Sequence, residues 1–157
     1  MSTLKTNQIQ TIAGKPIVNS TGSILQVVSA TIGTSTISTT STSYQSSGYS
    51  VTITPGNTSS KILVSLNGGW SFINSGNGMY LTLYRGATDL GGGAPMNQIY
   101  SSTNETIATP LSMLWLDSPA TTSATTYTLY FRSRAGSSVN VSEGGATFQM
   151  IAMEVAA

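Results

Sequence analysis

The chain has 157 residues, of which 7% are charged, against about 25% in an ordinary soluble domain. Six Lys and Arg stand against five Asp and Glu, a formal net charge of +1, and both Cys and His are absent. This inventory excludes thiolate and imidazole metal sites, disulfides, a Cys nucleophile and a His general base. Six scattered cations give no electrostatic footprint for nucleic acid or an anionic membrane surface.

Ser and Thr number 49 and Gly 16, yet 39% of residues are hydrophobic. Short alternating runs of Ile, Val, Leu, Tyr and Trp among Thr and Ser fit an all-β protein whose outer faces carry hydroxyls rather than charge. Low surface charge offers little repulsion between copies, which favours assembly. The N-terminus lacks the basic start and apolar run of a signal peptide. No stretch reaches the roughly 18 apolar residues of a membrane-spanning helix.

In chain order, residues 1–23 form an expected extended arm. Leu4, Ile9, Ile12, Ile17 and Val18 follow no clean period, and Pro16 breaks any helix across them. These aliphatic side chains are the candidate attachment residues, gripping a neighbouring subunit. Residues 24–157 form the expected sandwich domain. Ile24–Val28 is predicted as a buried strand, and the Ser/Thr tract from 29 as strand to about Ser38. Tyr49–Thr54 alternates with Tyr49, Val51 and Ile53 on one face. Pro55, Gly56 and Asn57 predict a turn into Lys61–Leu66, the second strand of a hairpin.

Gly68 and Gly69 before Trp70 predict a bulge or a close backbone approach. Met79–Arg85 follows with Met79, Leu81 and Leu83 on one face, then a glycine-rich loop from Asp89 to Pro95. Further strands are predicted at Gln98–Ser101, Leu111–Asp117, Thr126–Arg134, Val139–Ser142 and Thr147–Val155. Nine or ten strands at such spacing predict a β-sandwich, with a jelly roll the best version for this length.

The last strand is apolar on both faces, with Ile151, Met153 and Val155 on one and Phe148, Met150 and Ala152 on the other. One face of a sandwich strand points inward, so the other is expected to meet a second subunit. Phe148, Met150, Ala152 and Glu154 are assigned to that interface, with Arg85, Arg132 or Arg134 of the same or a neighbouring subunit as the partner that a charge there needs.

The five carboxylates, Asp89, Glu105, Asp117, Glu143 and Glu154, are isolated along the chain, and glycosidase chemistry needs two across a cleft. Asp89 beside Gly91–Gly93 is the one faint calcium candidate. Gly91–Gly93 and Gly76–Gly78 lack the context of a phosphate loop and read as turns. Four Asn-x-Ser/Thr matches, at Asn19, Asn57, Asn104 and Asn140, are what a Ser/Thr-rich chain produces by chance. Tyr80, Tyr84, Tyr100 and Tyr130 can stack on sugar rings, but sheet packing and subunit contacts explain them more simply. No catalytic, cofactor-binding or metal-ligating residue is expected, and the chain reads as a non-enzyme.

The segments Asn7–Gln10 (NQIQ), Gly14–Ile17 (GKPI) and Ile24–Val28 (ILQVV) resemble the start of small virion proteins of tailed bacteriophages, especially those infecting cyanobacteria. Ser50–Pro55 (SVTITP), Ser60–Val64 (SKILV), Leu116–Pro119 (LDSP) and Ile151–Val155 (IAMEV) extend the resemblance over most of the chain. The resemblance implies a homotrimeric jelly roll related in shape to tumour-necrosis-factor-like domains, located in the virion and bringing no catalytic residues. Its short arm suits a capsid decoration (cement) protein bound to the major capsid protein. The alternative is a tail fibre or fibre-tip module, joined to tail components, that binds a host surface glycan. No nucleic acid or membrane partner is expected.

Overall fold

A computed structural model describes residues 21–32, 35–74, 76–102 and 105–157. The expected attachment residues Leu4, Ile9, Ile12, Ile17 and Val18 lie outside the described residues. Among the described residues the chain forms strands β1 (Ile24–Ile32), β2 (Ile37–Thr39), β3 (Gln45–Ile53), β4 (Lys61–Ile73), β5 (Gly78–Arg85), β6 (Thr88–Asp89), β7 (Asn97–Tyr100), β8 (Ile107–Asp117), β9 (Thr125–Ser133), β10 (Val139–Val141) and β11 (Phe148–Val155), with no α-helix.

Two antiparallel sheets pack as a β-sandwich. The 13-residue β4 is the spine of the first sheet. One edge of β4 takes β11 along Lys61–Gly68 and then β10 at Phe72–Ile73, while β8 lines its other edge. Beyond these lie β1 on β11 and β2 on β10. The second sheet runs β3-β9-β5, with β6 and β7 sharing the far edge of β5. The ladder between β1 and β11 is continued by the Gly22 N–H, which donates to the Ala156 carbonyl.

Alternation of side chains across each strand builds the core. Ile62, Val64 and Leu66 of the first sheet and Leu81, Leu83, Leu129 and Phe131 of the second are fully buried. The Tyr49 ring packs on Phe148 with centroids 5.4 Å apart. The predicted inward faces of β3, β5 and β9 stand as expected.

Three expectations are corrected. Lys61–Leu66 does not form a hairpin with Tyr49–Thr54, because β3 pairs with β9 and β4 with β11 and β8. The turn at Pro55–Asn57 carries the chain from one sheet to the other, a geometry that turn chemistry does not distinguish from a hairpin. Ile24–Val28 is not a buried strand: β1 lies at a sheet edge with Ile24 58% and Val27 57% exposed. Most consequentially, Phe148, Met150 and Ala152 are fully enclosed by their own chain and Glu154 is 2% exposed. This face of β11 is the sandwich interior and is closed to any neighbour.

Gly68 and Gly69 do form a bulge, where the β4–β8 register shifts between Gly68 and Ser71. Both adopt positive φ, 101° and 62°. A Cβ on Gly69 would overlap the Phe148 ring, so glycine is required twice over there. Gly86 also has positive φ, 56°, but open space around it, and thereby separates the two effects. Gly86→Ala is expected to cost about 1–2 kcal/mol from the left-handed backbone alone. Gly69→Ala should cost about 1–3 kcal/mol more from overpacking, measured as the difference in urea unfolding free energy. Equal losses would show that the Phe148 contact is relieved without cost.

Candidate functional site

The buried ionisable groups are committed to holding the two layers. Glu154 sits at the end of β11, opposite Ile62, beneath the Pro55–Ser60 crossover. Gln26 Nε2 donates to its Oε2 at 2.6 Å and the Gly56 N–H to its Oε1 at 2.8 Å. Among the described residues of the same chain no arginine reaches it; Arg85 is engaged elsewhere. Burial disfavours the charged form, but hydrogen bonds from Ser60, Gln26 and the Gly56 and Asn57 backbone outweigh that cost and hold the carboxyl below the usual glutamate range. Arg85 instead pairs with Asp117, its Nη1 lying 2.9 and 2.8 Å from the two carboxylate oxygens. Tyr127 donates to the same carboxylate at 2.7 Å. Burial and then that bond push the Tyr127 phenol far above its ordinary value.

Asp89 is likewise occupied, accepting from Thr82 Oγ1 at 2.7 Å and from the Gly91 and Gly93 N–H groups. Its loop is a self-capped turn. Among the described residues no group of three or more Asp and Glu gathers to hold a metal, and no helix is long and apolar enough to cross a membrane.

What the molecule presents outward is more distinctive. On the outer face of the first sheet, Val27, Met153, Leu63 and Leu116 form one continuous row across four paired strands. The adjacent row is Ser29, Ile151, Ser65 and Leu114. Leu114 is 66% and Leu116 50% exposed, and β8 has no strand beyond it among the described residues. Natural sheet edges are normally blunted with charge; here the edge is aliphatic. The row after these is polar: Gln149, Asn67 and Ser112 stand in register, and Ser112 Oγ donates to Asn67 Oδ1 at 2.7 Å.

The tyrosines proposed as sugar platforms share the outer face of the second sheet, but largely engage one another. Tyr84 and Tyr130 stack with centroids 3.9 Å apart, and Tyr44 meets Tyr84 edge-on. Arg132 lies over both the Tyr44 and Tyr80 rings, and Arg134 over Tyr100. Tyr84 and Tyr130 are thus engaged with each other and Tyr80 with Arg132, while Tyr100 remains 45% exposed beside Arg134.

A different aromatic group is open. Past the bulge, Ser71 and Ile73 point inward and are fully buried, which turns Trp70 and Phe72 outward. Trp70, half exposed, and Phe72 line a cleft of about 470 Å³ with Glu143, Gly144 and Ala146. Asn140 Nδ2 donates to Glu143 Oε2 at 2.9 Å. Sequence reasoning passed over this site, although the Gly68-Gly69-Trp70 signal for it was present: a bulge commonly re-aims the side chain that follows it.

No protein-family model matches the chain, and no characterised protein matches it in sequence.

The hydrogen bonds of Glu154 set its pH dependence. Its folded pKa lies below the unfolded value of 4.5; the stabilisation is therefore complete above that value and is lost as pH falls through the folded pKa. Glu154→Gln is expected to cost about 2 kcal/mol at pH 7, with the gap to wild type closing in acid. Urea unfolding at pH 7 and pH 3 reads this directly; an unchanged gap would assign the loss to packing instead.

Proposed function

We propose that this chain is a structural protein of a tailed-phage virion that acts as a homotrimer and decorates the head, cementing capsid subunits. The observation that carries self-assembly is the aliphatic row Val27–Met153–Leu63–Leu116 on the outer face of the first sheet, with Val27 57% and Leu116 50% exposed. Contiguous apolar surface of this kind marks an interaction site. Each large side chain buried there contributes roughly 1.5–3 kcal/mol, in a chain with very little charge to oppose association. The resemblance of seven segments to phage virion proteins supports the setting.

The strand orders support a jelly roll. One layer contains β1-β11-β4-β8 and the other β3-β9-β5-β7, and the chain passes between layers from β2 to β3, β3 to β4, β4 to β5, β7 to β8, β8 to β9 and β9 to β10, as two interlocked Greek keys require. The head location is tested by copy number: decoration predicts many copies per capsid and heat-labile particles on removal, whereas a few copies at the tail would overturn it.

A second reading, a tail fibre or fibre-tip module that binds a host surface glycan, is favoured by the open aromatic cleft at Trp70.

The assembly face is separable from the core by mutation. Val27→Glu with Leu116→Glu alters only exposed positions and is expected to yield a folded monomer, whereas wild type sediments as a trimer. A variant with unchanged sedimentation mass, or a monomeric wild type, sinks the proposal.

A further inference from the structure

We propose that the cleft between Trp70, Phe72 and Glu143 binds a neutral saccharide, with a pyranose ring laid on the Trp70 indole and its hydroxyls donating to the Glu143 carboxylate. The inference deepens the glycan-binding reading and rests on it.

The walls are built by backbone that only a specific local sequence tolerates. On one side, Gly68 and Gly69, both at positive φ, reset the alternation of β4 so that Trp70 and Phe72 face outward two residues apart. That spacing is about 6.6 Å, the span of one sugar ring. On the other side, Ser142 adopts the left-handed conformation at φ 59°, and Gly144 and Gly145 follow at 66° and 77°. The Ser142 hydroxyl closes this turn by donating to the Ala146 carbonyl at 2.6 Å. This turn places Glu143 in the lining of the same cleft as Trp70. Glycine adopts positive φ freely, so the backbone cost falls on Ser142 alone, and left-handed non-glycine residues cluster where ligands are held.

The chemistry selects the ligand class. The indole face is electron-rich and attracts the slightly positive C–H face of a pyranose. Glu143 is an acceptor for hydroxyl donors: Oε2 takes one bond from Asn140, and Oε1 has no hydrogen bond among the described residues. Among the described residues no cation lines the cleft, so an acidic sugar would meet the Glu143 carboxylate without a compensating charge from them. The cleft volume of about 470 Å³ falls in the usual range for small-ligand sites. The polar belt of Asn67, Ser112 and Gln149 lies between the cleft and the aliphatic rows of the assembly face.

The test screens the full-length protein against an array of neutral and acidic oligosaccharides, followed by calorimetric titration with the strongest neutral hit. Expected are neutral hits, loss of affinity of at least about tenfold in Trp70→Ala, a smaller loss in Trp70→Phe, and weakening in Glu143→Gln. Thermal unfolding and sedimentation mass of each variant should match wild type, since Trp70 is half exposed. Neutral hits that survive Trp70→Ala overturn this cleft and leave the glycan reading intact; an empty array overturns both. Binding confined to acidic sugars overturns the neutral assignment. Dissociation of the oligomer in Trp70→Ala would show that the cleft is covered by another copy, overturning the proposal.

Discussion

Everything in this molecule depends on the two-residue alternation of side chains in strands that have only one enclosed face. Strand β11 makes the constraint visible, because it is apolar on both sides and central between β1 and β4. Phe148, Met150 and Ala152 fill the interior, and Glu154 at the strand's end is ordered by a cage of donors. Ile151, Met153 and Val155 are then committed to the outer surface. A one-residue slip would exchange the two sets and place Glu154 outside its cage. The carboxylate and its donors therefore help to pin the register that determines which apolar face remains uncovered.

The polar interior is small and devoted to joining the layers. Asp117 of the first sheet receives both Arg85 and Tyr127 of the second, and Glu154 holds the crossover that leaves β3 for β4. Each carboxylate is saturated by nearby donors, and this explains how a sandwich so poor in charge keeps ionisable groups inside. It also removes them from chemistry. The outward faces divide the remaining work: a hydroxylated Tyr and Arg layer covers the second sheet, an aliphatic band crosses the first, and an aromatic cleft opens beyond the β4 bulge.

Much of the fold was legible from local pattern. The periods of Tyr49–Ile53, Met79–Leu83 and Tyr127–Phe131 point to the inner faces found, since period-2 alternation is a property of the strand itself. Gly68 and Gly69 pointed to a bulge or a close approach, since glycine inside a strand marks one or the other, and the structure shows both. The site was less legible. Tyr80, Tyr84 and Tyr130 were singled out for their type, and only their neighbours show that the rings are already stacked or capped by Arg132. The exposure of Trp70 depends on how the bulge rotates the chain against a partner strand, which local pattern does not carry.

Composition and periodicity alone determined the all-β class, the lack of thiol and imidazole side chains, and the cores of most strands, because these reside in each residue and its immediate neighbours. Tertiary structure decided which sheet each strand joined, that Pro55–Ser60 is a crossover, and which side of β11 faces the core. Both sides of that strand are equally apolar, so the choice rests on the second sheet packing over one of them and on the donors gathered around Glu154 from residues as distant as Gln26.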